Sequence, residues 1–594
     1  MVVDYIIRDV QVYNSYFKKF IQGDVAIKDG KFVYIGKNYE NQLFTDEIID
    51  GKGKFMVPGL VDIHMHIESS MTTPSEFSKW AIKHGVTTVV ADPHEIANVF
   101  GVEGIKEFIK YDEKLDIFYG IPSSVPSTSQ NLETTGGIIS DEEVDELLCY
   151  EKILCLGEVM NFKDLIEDET SLINRIIKSV REKRKNIPLE GHCPRIDGVD
   201  LALYIYRGVD GDHTQQSVES IKEKIMNGMF MEIQHKSMSE DNMKFLIDNN
   251  LYEHFCLVTD DVMADKLKEG HLNLLLKKAV ELGMKLEDAI YVSTFTPARR
   301  MGLLDRGAIA PGKIADFLLI EDLEEFEINA VYKSGDLVYE SNKSWREEYF
   351  NNISTFPSKF LNSVKLDYIT EEKLMLRYEK VKFGEDKLVG CKSEGEKLEG
   401  LNCKGNKSKV KCRTMEVTRT TTFTKEGEIT LKVEDGQVAW QNEDCALIAV
   451  FERYGKSGGS AFGIVTGDII KQGAVATTWA HDHHNLMVMG RNIKDMIEAA
   501  NKVIEMQGGY AVSSEGEIMA SAPLPIGGIV SSVPIEELGE DLKTVRKAMK
   551  DLGYNHNNEI MSFSTLSLPV SPEIKITDKG LIDVKKQEVV SLYK

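Results

Sequence analysis

The sequence predicts an α/β fold: a (β/α)8 TIM-like barrel with a small β-sandwich built from both flanks, plus a C-terminal α+β domain. Between residues 58 and 302, apolar strand-like runs alternate with amphipathic helical segments, which is typical of parallel β/α units. That stretch is about 245 residues long, the size of one eight-stranded barrel. Short strand-like segments punctuated by Gly, Asp and Asn lie on both sides of it, and they favour a small β-structure.

The predicted boundaries divide the chain into four parts. The composite β-sandwich takes residues 1–57 and 303–345, the barrel 58–302, a linker 346–363, and the C-terminal α+β domain 364–594. Within this last domain a stretch rich in Lys, Glu, Gly and Ser is interpreted as an insertion, over residues 383–412.

Local patterns predict the individual elements. The Asp29-Gly30 pair predicts a hairpin turn in the first flank. Periodicity predicts a helix over 74–84, a strand over 87–91 and a C-terminal helix over 492–506. The strands predicted in the two flanks cover residues 5–7, 24–28, 32–35, 47–49, 315–320, 330–333 and 336–339.

The bulk composition limits the classes of partner. The chain has 594 residues, a net charge of −24 and a pI near 5.1. Such an acidic surface argues against nucleic acid or an anionic membrane as the main partner. No signal peptide pattern and no apolar run of membrane-spanning length are present in the sequence. The eight cysteines form no disulfide framework, so we expect a cytoplasmic protein.

Two histidines at the end of an apolar run are the first candidate site. His64 and His66 follow Val57, Leu60 and Ile63, which predict a buried strand. Residues two apart on a strand point to the same face, so both imidazoles can bind one metal ion.

Other ligand-type residues follow later apolar runs of the predicted barrel, where chemistry is carried at the carboxyl ends of the strands. These are Glu158, His192, His213 and Asp260. Together with the two histidines they supply six N and O ligands, which suit two divalent ions such as Mn²⁺, Fe²⁺ or Zn²⁺. A bridging carboxylate can hold two such ions close together, and a water between them loses its proton near neutral pH.

The motifs that carry these residues resemble the amidohydrolase superfamily and, within it, the adenine deaminase branch. The resemblance covers nearly the whole chain. The matching segments are Met56-Val-Pro-Gly-Leu-Val-Asp-Ile-His-Met-His66, His66-Ile-Glu-Ser-Ser70, Ala91-Asp-Pro-His-Glu-Ile-Ala-Asn98, Gly157-Glu-Val-Met-Asn161, Gly270-His-Leu272, Gly307-Ala-Ile-Ala-Pro-Gly312, His481-Asp-His-His-Asn485 and Leu524-Pro-Ile-Gly-Gly528.

The resemblance implies a role for each ligand. His64 and His66 would bind the first metal, and His192 and His213 the second. Glu158 would bridge the two ions, in place of the carboxylated lysine that other members use. Asp260 would contact the first metal and act as the proton shuttle. The implied reaction is the hydrolysis of adenine to hypoxanthine and ammonia in purine salvage, and the implied cofactor is a pair of Mn²⁺ ions, with Fe²⁺ or Zn²⁺ as alternatives.

Two further groups are candidates for contact with the substrate. Asp92, His94 and Glu95 follow the predicted strand 87–91, and each is a candidate acid, metal-assisting or purine-contacting group; a turn and a helix cap are the structural alternatives. We assign His94 and Glu95 to catalysis and Asp92 to substrate binding. His481 and Asp482 of the His481-Asp-His-His-Asn485 segment are expected to reach over the barrel mouth and bind the substrate, although this segment suits a metal site or a structural turn as well.

The sequence departs from the family pattern at three places. Thr214 stands where the family usually has Glu, and Val262 where it usually has a basic residue. The segment Gln234-His-Lys-Ser237 replaces an Arg-Glu-Gly-Ser segment. The metal ligands are intact, so these changes bear on substrate choice and rate.

Other functions remain open at this point. The same ligand set would serve a cyclic amidohydrolase of the hydantoinase or dihydroorotase type, or a deaminase acting on another aminopurine. A non-catalytic assembly protein on the same fold is a third possibility, but such proteins lose ligands. The expected partners are a small purine base and a second copy of the chain in a homodimer, without nucleic acid or membrane.

Overall fold

A computed structural model describes residues 1–39, 41–111, 113–342, 344–345, 350, 355–378 and 408–594. The chain forms two compact units. The first contains residues 1–93, 106–124 and 140–354, and the second contains residues 94–105, 125–139 and 355–594. Most of the predicted insertion 383–412 and most of the first half of the predicted linker lie outside the described residues.

Strands from both flanks of the barrel belong to one nine-stranded sheet. Phe55–Pro58 joins the flanks, because it pairs parallel with Tyr5–Asn14 and antiparallel with Phe317–Ile320. Asp29 and Gly30 make the predicted hairpin turn, and both have positive φ, which such a two-residue turn requires. The sheet contains the strands Tyr5–Asn14, Lys19–Lys28, Lys31–Gly36, Ile48–Asp50, Phe55–Pro58, Phe317–Ile320, Ile328–Lys333, Asp336–Glu340 and Ser344–Trp345.

Eight parallel strands in sequential order form the barrel. They are Leu60–Met65, Val86–Ala91, Asp116–Ile121, Ile153–Val159, Leu189–Gly191, Gly211–Asp212, Phe230–Ile233 and Phe255–Leu257. The predicted barrel is thereby confirmed. Because all strands run the same way, their carboxyl ends share one rim, where barrels carry their chemistry.

The first and last strands of the barrel are joined by a short set of bonds. The Asp260 amide donates a hydrogen bond to the His64 carbonyl at 3.1 Å, and Met65 bridges Asp260 in parallel register. Beside them, the Thr259 hydroxyl donates to the buried Asp62 carboxylate at 2.6 Å. This closure brings the ends of the first and last strands, with their ligand-type residues, to the same place.

The helices around the barrel strands show the expected apolar spacing. In Leu172–Lys183 the buried residues Ile173, Ile176, Ile177 and Val180 lie on one face, and the Ser171 side chain accepts from the Asn174 amide at the amino end. The predicted helix 74–84 is observed as Pro74–Lys83. The other helices between residues 94 and 300 are His94–Phe100, Val102–Ile109, Asp141–Leu147, Phe162–Glu167, Gly198–Tyr206, Val218–Met226, Glu240–Asp248, Ala264–Leu267, Leu272–Glu281, Leu286–Val292 and Phe295–Arg300.

The second unit contains a nine-stranded sheet and a three-stranded sheet. Between residues 408 and 594 its α-helices are Ile493–Glu505, which confirms the predicted helix 492–506, and Ile535–Asp551 and Glu559–Ser564. The strands of the larger sheet are Ser408–Thr418, Thr421–Glu434, Gln437–Ala439, Ala446–Phe451, Ser460–Gly467, Ala474–Thr477, Leu486–Gly490, Gly509–Ser514 and Glu517–Pro523. Those of the smaller sheet are Ile574–Thr577, Gly580–Asp583 and Glu588–Val590. Among the helices that the structure describes, none combines the length and the apolar character needed to cross a membrane.

The bond between Thr259 and Asp62 gives a stability prediction. We expect Thr259→Val to lower the free energy of unfolding by about 1–3 kcal/mol, because it leaves a buried carboxyl oxygen without this donor. Thr296→Val is the control, since the Thr296 hydroxyl donates to the Tyr252 backbone carbonyl at 3.0 Å and should cost about 0.5–1.5 kcal/mol. Urea titrations of both variants measure the difference; equal losses would contradict a special role for this bond in closing the barrel.

Candidate functional site

All six predicted metal ligands lie at the carboxyl ends of barrel strands, in the first unit. His64 is in the first strand and His66 directly follows it, while Glu158 is in Ile153–Val159. His192 and His213 each follow the last residue of a short strand, and Asp260 lies three residues beyond Phe255–Leu257. The structure therefore brings together side chains from positions spread over nearly two hundred residues of sequence.

The Glu158 carboxylate lies between two pairs of histidines. Its Oε1 is 3.4 Å from His64 Nε2 and 3.1 Å from His66 Nε2. Its Oε2 is 2.7 Å from His192 Nδ1 and 3.7 Å from His213 Nε2. Each oxygen of one carboxylate thus faces a different pair of imidazoles, which is the arrangement that a bridging ligand needs.

Asp260 completes the first of these groups. Its Oδ1 lies 3.8 Å from His64 Nε2 and 3.5 Å from His66 Nε2. Its backbone has a φ of 60°, in the left-handed region that non-glycine residues seldom adopt. Such a conformation persists where the surroundings hold it in place, as the bond from the Asp260 amide to the His64 carbonyl does here. Lys236 Nζ, on a half-exposed side chain, lies 3.6 Å from Asp260 Oδ2.

The charge states of Glu158 and His213 suit cation binding. Burial raises the pKa of Glu158, but the facing His213, His192, His64 and His66 outweigh it and hold that pKa well below the usual range. Burial and the neighbouring His64 lower the pKa of His213 to about 3, so this imidazole is neutral at neutral pH. An ionised carboxylate and a neutral imidazole are the forms that bind metal ions.

The donor atoms also fit two divalent ions in number and spacing. His64, His66, Glu158 and Asp260 form one group and Glu158, His192 and His213 a second, each with donor atoms within 4.8 Å of one another. The buried His64 Nε2 has no hydrogen-bond partner among the described residues, although it points at two carboxylates. Imidazole and carboxylate donors suit borderline divalent ions such as Mn²⁺, Fe²⁺ and Zn²⁺.

Asp92 supports the cluster from behind. Its carbonyl lies 2.9 Å from His66 Nδ1 and accepts a hydrogen bond from it when that nitrogen is protonated, which directs Nε2 toward Glu158. Its Oδ2 accepts from the Glu158 amide at 2.8 Å. A side chain on Gly157 would overlap Asp92 Oδ2, so glycine is required there for Asp92 to come this close. Asp92, predicted to bind substrate, therefore orients two of the ligands.

The remaining predicted residues form a second buried cluster, in the second unit. Its centre is Glu95, whose Oε1 lies 2.6 Å from His481 Nδ1 and whose Oε2 is bonded to His484 Nε2. His94 Nε2 lies 3.6 Å from Glu95 Oε1 and 4.0 Å from Asp482 Oδ1. The structure thus brings His94, Glu95, His481 and Asp482 together, although nearly four hundred residues separate the two segments in sequence.

Electrostatics make Glu95 the anionic centre of this cluster. Burial raises its pKa, but His481, His484 and His94 outweigh that effect and hold the pKa well below the usual range. Burial lowers the pKa of His481, while the facing Glu95 and Asp482 raise it well above the usual value. His481 and Glu95 therefore form a charged pair at neutral pH. The donor atoms of His94, Glu95 and Asp482 also lie close enough to hold a cation.

Three residues of these surroundings were missed by the sequence analysis. Glu232 is fully buried, with Oε2 3.8 Å from His64 Nδ1, and its only signal is a carboxylate within the apolar strand Phe230–Ile233. His484 belongs to a segment that the sequence singled out, but its bond to Glu95 depends on the fold. Arg453 is fully buried and bonds the His484 carbonyl, the Gly527 carbonyl and the Ser363 hydroxyl, and no sequence pattern marks it.

Comparison with known proteins identifies the class of protein to which this barrel belongs. The chain matches the amidohydrolase family over residues 55–338 and the adenine deaminase C-terminal domain over residues 421–588. It is a hydrolase of the amidohydrolase family, whose members are metal-dependent. A solved β-aspartyl dipeptidase from Fervidobacterium islandicum AW-1 is 19% identical, with a TM-score of 0.44 over 57% of this chain and 97% of that chain.

Full-length relatives narrow the class to one family. An adenine deaminase from Clostridium perfringens is 63% identical over 594 residues, which covers 100% of both chains. Adenine deaminase 2 from Shouchella clausii is 48% identical over 597 residues, covering 100% of this chain and 99% of the relative. The chain belongs to the adenine deaminase family.

The close approach of Gly157 to Asp92 gives a prediction for the ligand cluster. We expect Gly157→Ala to displace Asp92, so that Glu158 and His66 lose their orientation, and to lower the rate of substrate turnover by roughly 100-fold, the effect of a shift of about 1 Å at a reacting centre. Gly23→Ala is the control, because a side chain there meets only ordinary contacts, the nearest at 3.4 Å. Steady-state kinetics and the content of bound metal, measured for both variants, test this prediction. A fully active Gly157→Ala enzyme would show that the support from Asp92 is dispensable.

Proposed function

We propose that this chain hydrolyses adenine to hypoxanthine and ammonia, in purine salvage. The observation that carries the proposal is Glu158, whose two oxygens face two separate pairs of histidines. Further support comes from the relatives named adenine deaminase, which extend over the whole chain.

The ligand assignment follows from the same geometry. His64, His66 and Asp260 would hold one divalent ion, His192 and His213 a second, and Glu158 would bind both. Divalent ions held by these residues would supply a water nucleophile at neutral pH.

Asp260 is the proposed proton carrier of the reaction. Its carboxylate accepts a proton as the water attacks C6 of the purine ring and returns it to the departing amino group, which leaves as ammonia. Lys236, 3.6 Å from Asp260, favours the ionised carboxylate that must accept the proton. The overall reaction consumes adenine and one water and yields hypoxanthine and ammonia.

We also propose that the second cluster binds the substrate and handles a proton on its ring. The chain passes from Asp92 to His94 across a single residue, so the two clusters are continuous in sequence. The pair of Glu95 and His481 stores a proton within a buried site, and Asp482 offers an acceptor for a ring N–H. His94 and Glu95 are assigned to catalysis, and His481 and Asp482, with Asp92, to substrate binding.

The finer properties of the enzyme are proposals of the same kind. Mn²⁺ is the proposed native ion. The donor set also accepts Fe²⁺ and Zn²⁺, and the metal bound in the cell depends on which of these ions is available. The proposed substrate is the free purine base. We propose a homodimer that works in the cytoplasm, and the domain boundaries of the sequence analysis as the units of the fold.

Ammonia release from adenine tests the main proposal. Enzyme reconstituted with Mn²⁺ should release ammonia and form hypoxanthine, and Glu158→Gln should reduce the rate to background because one ligand of both ions is lost. Asp260→Asn should lower kcat by about 10²–10⁴-fold, the usual contribution of a general acid–base group. A wild-type enzyme that carries two Mn²⁺ per chain but leaves adenine unchanged would refute the substrate assignment, and ring-opening assays on cyclic amides and assays on other aminopurines would then identify the class.

Substitutions in the second cluster test its part in substrate binding. Asp482→Asn and His481→Asn should raise KM for adenine by at least about 10-fold, the cost of one lost hydrogen bond to a charged group, while the content of bound metal stays unchanged. His556→Asn is the matched control in the same unit, since the hydrogen bonds of this ring within the described residues go to two backbone carbonyls and a backbone amide. Unchanged KM and kcat in both variants would remove this cluster from the active site.

A further inference from the structure

A buried ion pair lies directly behind the second pair of histidines. The Asp212 carboxylate, which precedes His213 in the chain, is fully buried and accepts from Lys224 Nζ at 2.8 Å. The same carboxylate accepts from the Cys193 amide at 3.0 Å and from the Thr214 hydroxyl at 2.9 Å. The Asp212 carboxylate therefore accepts a hydrogen bond from the residue that follows His192 and another from the residue that follows His213.

Lys224 holds the other side of this arrangement. It lies in the helix Val218–Met226 with 1% of its surface exposed. Besides Asp212, its ammonium donates to the Cys193 carbonyl and to Gln216 Oε1, each at 3.2 Å. Both the amide and the carbonyl of Cys193, the residue that follows His192, are thus bound by the ion pair.

Two positions that the sequence analysis singled out as departures from the family pattern, Thr214 and Gln234, belong to the same network. Thr214 donates to Asp212, and the Ser237 hydroxyl donates to the Thr214 carbonyl at 3.3 Å. Gln234 Nε2 donates to the His213 carbonyl at 3.0 Å. Two of these bonds hold backbone carbonyls, those of His213 and Thr214, and the third joins Thr214 to the Asp212 side chain.

The energetics of buried charges indicate whether the Lys224–Asp212 pair serves stability or geometry. Burying a lysine and an aspartate costs several kcal/mol of desolvation per ion, and apolar residues of similar volume are often as stable. A buried pair is therefore weak evidence of a role in stability, and its fixed bonds to two loops indicate a role in geometry. Groups that orient metal ligands from outside typically change metal affinity by about 10–100-fold when they are removed.

We infer that the Lys224–Asp212 pair is a positioning device that holds His192 and His213 at the separation at which they can share one metal ion. The inference rests on the proposed binuclear site. His64 lies in the first barrel strand and His66 directly after it, and the Asp92 carbonyl orients His66, so the bonds of the pair to Cys193 and Thr214 do not set the ligands of the ion bound with Asp260. Loss of the pair should release the second ion selectively.

The test is the metal stoichiometry of Lys224→Met, a variant that keeps the length of the side chain and removes its charge. Purified protein is dialysed against graded Mn²⁺ concentrations, and bound metal is measured by elemental analysis. Electron paramagnetic resonance reports whether the bound ions are magnetically coupled. We expect two coupled ions per chain in the wild type; in Lys224→Met we expect one tight ion, a second site weakened about 10–100-fold, and no coupled signal at low Mn²⁺.

Lys333→Met is the matched control. Lys333 Nζ bonds the buried Asp316 at 2.7 Å and also Asp116, at the amino end of a barrel strand and therefore away from the ligand rim. This variant should lose stability and keep two coupled ions. If Lys224→Met does not fold, Lys224→Gln, which retains one donor group, serves for the same measurement.

Each outcome decides between the possibilities. Two tight, coupled ions in Lys224→Met would overturn the inference, as would an equal loss of metal in Lys333→Met, since both show that the pair has no special link to the ligands. A wild type with a single ion would overturn the inference and the proposed binuclear site together. A wild type that binds two ions, loses one in Lys224→Met, and does not deaminate adenine would support the inference and refute the proposed function alone.

Discussion

The Glu158 carboxylate is the constraint on which the rest of the site depends. Glu158 must present one oxygen to each of two pairs of histidines. Because the four histidine nitrogens lie between 2.7 and 3.7 Å from these oxygens, a small displacement of the carboxylate would break the arrangement. The surrounding structure fixes it through the bond from its amide to Asp92, through Gly157, and through two serine hydroxyls on its carbonyl. The barrel supplies the remaining geometry by setting its strand ends on one rim.

Buried charge in this molecule is concentrated where it orients other groups. Asp212 with Lys224, Asp62 with Thr259, and Glu95 with His481 are all withdrawn from solvent, and the last two pairs join segments distant in sequence. Isolated charges at such positions would be expensive, so each is matched by an opposite charge or a donor. The ligand positions at the barrel rim are therefore set by polar networks more than by apolar packing. Hydrogen bonds are directional, whereas apolar packing is not.

The parts of this structure that sequence reasoning predicts are those with local signals. Strand runs, the hairpin at Asp29-Gly30 and the helix at 492–506 follow from period and turn chemistry, and the order of the six ligands follows from their positions after apolar runs. Lys224 carries no such signal. It lies in an amphipathic helix, and only the folded structure shows that its side chain is buried against Asp212. Arg453 is similar, because two of its bonds go to backbone carbonyls, which any residue supplies. Contacts across long separations depend on packing, which a single sequence does not display.

The departures at Thr214 and at 234–237 acquire a physical meaning once the network behind His213 is considered. In this chain a hydroxyl, an amide and an ammonium together hold the His213 segment. A ligand set imposes strict chemistry, because only certain atoms bind a divalent ion, whereas the groups that orient a ligand need only donate or accept at the correct place. Several combinations of side chains satisfy the second requirement. Substitutions within the supporting network should be strongly non-additive, since its members share partners.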